Sequence, residues 1–148
     1  MGPIEKLDAL ERKFWELING RTERFVEEVA DTKRELMADL NRAQLNEGID
    51  SRGRRIEPPY TPRTVKIKTI KGQPTNKVML LDTGRFQSLI KAQKHNKAYY
   101  MESSDDKTEK LVNKYGEDIE GLTDENKDLV AASMKEPLIE KHRNFFEI

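Results

Sequence analysis

Between Pro3 and Asn46 apolar side chains recur at helical spacing, and no other feature of the chain constrains its fold as much. Ile4, Leu7, Leu10, Phe14, Leu17 and Ile18 form one stripe. Phe25, Val29, Leu36, Leu40 and Ala43 form a second, with Thr32 filling the missing step. Steps of three and four residues bring side chains onto one face of an α-helix. Pro3 suits a first helical turn, because the N–H it lacks would have no partner there. Asn19-Gly20 interrupts the pattern, and Gly48 is placed to end it. Residues 3–46 therefore predict a helical arm, either one long helix with a weak point at Gly20 or two helices in line.

Residues 48–77 change character. The stretch "GIDSRGRRIEPPYTPRTVKIKTIKGQPTN" with its following Lys77 holds Gly48, Gly53 and Gly72 and four of the chain's 6 prolines, which is loop chemistry. Within it "TVKIKTI" alternates like a half-exposed strand, and "KVMLL" beyond Pro74 is also strand-like, so a hairpin is one expectation. A short helix starting at Thr61 or Thr64 is the other. Next, "LLDTGRFQSLI" offers Asp82 or Thr83 as a helix cap, with Phe86, Leu89 and Ile90 facing inward. Asn96-Lys97 lies between a polar strand and Ala98-Tyr99-Tyr100-Met101, a second hairpin candidate. Asp105 or Asp106 opens a short helix with Leu111, Val112 and Tyr115 on its inner face, stopped by Gly116. Thr123 starts a C-terminal helix with Leu129, Val130, Met134 and Leu138 on one face, which Pro137 should end or kink. The expected architecture is α+β over residues 1–148 as a single domain. It combines the helical arm, the basic Gly/Pro-rich loop or hairpin of 48–77, and a small antiparallel sheet with C-terminal helices in 78–148.

Charge points to partners only through its distribution. Basic and acidic residues balance at 27 each. Residues 50–77, however, carry 8 basic side chains and 2 acidic ones. Arg52, Arg54, Arg55, Arg63, Lys66, Lys68, Lys71 and Lys77 there face only Asp50 and Glu57. They can line a DNA phosphate path, meet an acidic protein, or keep a loop solvated. Tyr60 is the segment's only aromatic, which gives base stacking little support. At 35% hydrophobic and 36% charged residues the core must be small, and such chains complete their burial against partners or copies of themselves.

The residues of chemistry are sparse. The chain has no cysteine, hence no disulfide, thiol nucleophile or Cys-ligated zinc. His95 and His142 have no metal-ligand spacing, and Ser88 and Ser103-Ser104 have no nucleophile-elbow context. Asp105-Asp106 and Asp124-Glu125 sit where helix starts favour acids. No enzyme, cofactor or metal is expected. No apolar run approaches the roughly 18 residues of a membrane span, so no membrane contact is expected either. The "FF" of "RNFFEI", Phe145 and Phe146, is a candidate docking pair.

Several stretches, in order, resemble the virion-morphogenesis or tail-completion proteins of tailed bacteriophages, small proteins of the head–tail junction and tail tube. They are Gly48, Asp50 and Gly53 in "GIDSRG", then Pro59, Thr61, Pro62 and Thr64 in "PYTPRT". Leu81, Asp82, Thr83, Gly84, Phe86, Ser88 and Ile90 follow, then Tyr115-Gly116 and Gly121-Leu122-Thr123-Asp124. The likeness covers roughly residues 44–130. The chain departs from it in a longer, more basic 64–78 link and in "EDIEGL", which has no Arg or Phe. "DTG" also occurs in retroviral-type aspartic proteases, but that reading expects a run of strands where this chain opens with helix. The resemblance implies a curved antiparallel sheet flanked by helices and no catalysis. It also implies a homo-oligomeric ring in the virion, assembled in the bacterial cytoplasm, with connector or tail-tube subunits as partners. Asp82, Thr83, Gly84, Phe86 and Ser88 would then form a structural corner, Gly84 allowing close approach and Ser88 making a backbone bond. A small nucleic-acid-binding regulator using residues 52–77 is the alternative.

Overall fold

A computed structural model describes residues 2–147, excluding the side chain of Ile18. The fold is α+β, mostly helical, with one small antiparallel sheet. The chain divides into two compact units, Arg34–Asp128 and a second made of Met1–Lys33 with Leu129–Ile148.

In the terminal unit, α1 (Pro3–Glu16) runs into a π turn at Leu17–Arg21, where Asn19 and Gly20 leave helical backbone angles. The predicted weak point is therefore a break. Helix α2 (Thr22–Asp31) follows, and the unit also holds the larger part of the last helix, α7 (Asp124–Phe146). Phe25 meets His142 and Phe145 edge-on at 5.2 and 5.7 Å between ring centres. Lys141 pairs with Glu28 at 2.7 Å. Such edge-to-face contacts add specificity to apolar burial.

The central unit is built on α3 (Arg34–Asn46). Helix α4 (Pro62–Ile70) and the single turn α5 (Arg85–Ser88) precede the hairpin of β1 (Ile90–His95) and β2 (Ala98–Ser103). The strands pair antiparallel from Ile90 opposite Ser103 to His95 opposite Ala98. Asn96 and Lys97 turn the chain with φ of 48° and 66°, the left-handed pair that a two-residue hairpin requires. Helix α6 (Thr108–Tyr115) and a 3-10 turn at Glu117–Ile119 complete the unit. Leu45, Val78, Ile90 and Ile119 are almost wholly buried. Arg42 ties α3 to the sheet, donating to the carbonyls of Gln87 at 3.0 Å and Ile90 at 2.9 Å.

The structure corrects or narrows four expectations. Residues 3–46 also break at Thr32-Lys33, where short backbone bonds to Val29 and Ala30 close α2 and the Thr32 hydroxyl donates to the Val29 carbonyl. That break resets the helical phase, so the buried face of α3 is Met37, Ala38, Asn41, Gln44 and Leu45, while Ala43 is exposed. Of the two readings left open within residues 48–77, the helix is present and the hairpin is not: Thr61 accepts the Thr64 N–H at 3.3 Å and caps a helix through "PRTVKIKTI". Pro62, in the first turn, removes no bond the helix needs. "KVMLL" forms no strand among the described residues, and Leu80 within it takes a positive φ of 56°. Finally, of the end or kink expected at Pro137, the end does not occur, and α7 continues to Phe146.

Candidate functional site

Three pieces of the central unit converge on one groove: α4, the chain from Leu80 to Phe86, and α6. Its cavity is about 420 Å³, all of it lined from residues 60–115. Ile67, Leu80, Leu81, Phe86, Leu111 and Tyr115 supply apolar walls. Lys68, Lys71, Arg85, Lys107 and Lys110 supply five cations against the carboxylates of Asp82 and Asp105.

The Asp82-Thr83-Gly84 corner forms one side of this groove. Gly84 has φ of 82° and stands just before α5. A Cβ there would meet only Leu81 Cδ1, at 3.8 Å. The glycine is needed for its left-handed backbone, then, and not for the close approach expected of it. The Thr83 hydroxyl accepts the Arg85 N–H at 3.4 Å, and Ser88 Oγ donates to the Arg85 carbonyl at 3.0 Å. Phe86 is buried, and its carbonyl accepts the Ser103 hydroxyl at 2.7 Å. Asp82 caps nothing. Lys71 donates to it at 2.8 Å and Lys107 lies 3.6 Å away. The Lys71 hydrogen bond is the main reason its carboxyl is held below the usual aspartate range. An aspartate kept ionised by two lysines is poorly suited to share a proton with a second carboxyl, as a protease dyad would require.

The basic residues scatter to different tasks. Arg52 reaches Asp118 at 3.0 Å, and Arg54 reaches Asp118 at 3.2 Å and Asp50 at 3.3 Å. Arg55 donates to the Asn76 carbonyl. Lys71 is taken by Asp82. Lys68, expected on the surface, is only 8% exposed. Its ammonium donates to the Leu81 carbonyl at 2.7 Å and Gln73 Oε1 at 3.3 Å, and lies 4.8 Å from the Tyr60 ring centre. Arg63 and Lys66 are exposed and, among the described residues, in no ion pair.

In the terminal unit Phe145 is half-buried, with Phe25 and Phe146 against its ring and Lys13 and Arg21 each 5.4 Å from its centre. It serves its own unit. His142 Nδ1 is 2.7 Å from the Leu138 carbonyl. His95 Nε2 lies 3.3 Å from Glu102. Among the described residues no cluster of three or more His, Asp or Glu could hold a metal, and no helix is long and apolar enough to cross a membrane.

Sequence reasoning missed the buried amides of α3. Asn41 donates to the Ile119 carbonyl and accepts the Gly121 N–H, each at 3.2 Å. Gln44 donates to the Gly121 carbonyl at 3.0 Å and accepts the Thr123 N–H at 2.9 Å. Together they fix the 119–123 strap, and Thr123 in turn accepts the Asn126 N–H to start α7. The available signal was their spacing with Ala38 and Leu45, once α3 is started at Arg34.

No protein-family model, curated protein or solved structure matches this chain.

Proposed function

We propose that this chain is a non-enzymatic structural subunit of a tailed bacteriophage or prophage, acting in virion morphogenesis at the head–tail junction or tail and assembling as a homo-oligomer. The observation that carries this reading is the state of α1. None of its residues is buried, and Ile4, Leu7, Phe14 and Trp15 are 76%, 65%, 55% and 54% exposed. A helix with an apolar stripe that its own fold leaves uncovered is suited to a neighbour. A second copy fits by charge. Glu5, Asp8 and Glu11 outnumber Lys6 in the first part of α1, and Arg12 and Lys13 outnumber Glu16 in the rest, so an antiparallel pair sets opposite net signs together. The chain's net charge of zero sets up no overall repulsion between copies.

Several residues behind the resemblance serve backbone geometry, as a structural role expects. Buried Asp50 accepts the N–H groups of Arg52 and Arg54 at 3.0 and 2.9 Å; Thr61 and Thr123 cap helices; Gly84 and Gly116 take left-handed turns. The nucleic-acid alternative loses support because Arg52, Arg54 and Lys71 already pair with carboxylates within the fold. The genes flanking the coding sequence test the proposal. Portal, capsid, tail-tube or terminase genes are the expected result, and metabolic or regulatory neighbours contradict it.

A further inference from the structure

Lys68 poses a question that its own fold leaves open. Its ammonium is held among neutral oxygens and one ring, and among the described residues no carboxylate pairs with it. Burying a cation without a counter-charge is costly, and an anion arriving beside it recovers part of that cost. Lys68 also lines the groove between α4 and α6. Around it, Lys71 and Lys107 share the single charge of Asp82, Arg85 stands 3.5 Å from Asp105, and Lys110 is exposed and, among the described residues, in no ion pair. The groove thus combines apolar walls with an excess of three positive charges.

We propose that this groove docks an acidic peptide segment bearing an apolar anchor side chain, supplied by a neighbouring protein subunit. The anchor would lie between Ile67, Phe86 and Leu111, and flanking carboxylates would meet Lys110, Arg85 and Lys68. The volume falls within the range of ligand pockets, roughly 300–1,000 Å³. Two features favour a peptide over a small amphiphile. Lys71, Arg85 and Lys107 keep 49%, 65% and 61% of their side chains exposed, so the charge stands at an open mouth and not in a closed chamber. A segment lying across such a mouth presents one side chain inward and its acids along the rim. Two features disfavour nucleic acid. The Tyr60 hydroxyl is bound to the Met79 N–H at 3.1 Å with Lys68 against its ring, and the remaining walls are mainly aliphatic. The inference rests on the assembly reading only for where the segment comes from.

The test uses the full chain, labelled with nitrogen-15, and the capped peptide acetyl-Glu-Phe-Asp-Leu-Glu-amide. Amide resonances of Gly84, Lys110 and Leu111 should move on titration, with binding saturating below about 1 mM. The same peptide with lysine at each acidic position should leave them in place. Lys110→Glu, an exposed change, should weaken binding about tenfold by removing one charge and adding its opposite. Lys68→Met should also weaken it while leaving thermal stability equal or higher, since it removes a buried charge. No movement at these amides, an equal response to the basic peptide, or unaltered binding by Lys110→Glu would overturn the proposal. So would tighter binding of dodecanoate or a thymidine decanucleotide at the same amides. None of those failures touches the gene-neighbour test, so the two readings fail separately.

Discussion

Glu120 and Lys68 show how single residues of the central unit balance charge against burial. Glu120 accepts the Ser103 N–H at 2.8 Å, which favours its charged form. Burial outweighs that bond and, with nearby Glu102, holds its carboxyl above the usual glutamate range. A carboxyl raised in the folded state binds its proton more tightly there than in the unfolded chain. Its contribution is therefore most favourable below the ordinary glutamate pKa and declines as pH rises through the raised value. Glu120→Gln keeps an acceptor for Ser103 and removes the titration. Thermal melts should coincide for variant and parent in acid and separate toward neutral pH, with the variant more stable. Parallel pH profiles would contradict the assignment. Neither residue's burial was legible in the sequence. Lys68 lies in "VKIKTI", which reads as a strand with its lysines outward until Thr61 and Pro62 are recognised as a helix start. Gly84 was legible as a corner, yet its reason, a positive φ and not crowding, belongs to the backbone.

Among the elements, α7 carries the clearest internal conflict. Pro137 sits inside a continuous helix, where it lacks the N–H of one backbone bond and crowds the preceding turn. Pro137→Ala should stabilise the protein by roughly 1–3 kcal/mol, read as a higher urea midpoint with an unchanged slope. A lower midpoint would show that the proline's shape is needed for packing. Local signals located most elements well. Asn96-Lys97 marked the hairpin, Gly116 the end of α6 and Thr123 the start of α7, because turns and caps depend on a few adjacent residues. Phase was harder. Nothing local in "ADTKREL" announces the break at Thr32-Lys33, and a continuous stripe through Leu36, Leu40 and Ala43 satisfies the same spacing rule. Pairing was harder still, since whether "KVMLL" finds a partner strand depends on what the rest of the chain offers it.

At the scale of the whole molecule, the chain combines an uncovered apolar helix with a cationic groove. The groove was invisible in the sequence because its walls come from three segments up to 55 positions apart, Tyr60 to Tyr115. The α1 stripe was visible, but its exposure was not: the same spacing serves a core helix equally well. Phe145, a candidate docking residue by sequence, is half-buried beside Phe25 within its own unit. The assembly proposed here has a second copy cover α1. Sedimentation velocity of the full chain over a concentration series, beside Leu7→Glu with Phe14→Glu, tests it most directly. The parent should form concentration-dependent oligomers, and the double variant should be a monomer with unchanged helical circular dichroism, because no residue of α1 is buried within the fold. A parent that stays monomeric at every concentration, or a double variant that assembles as well as the parent, would contradict it.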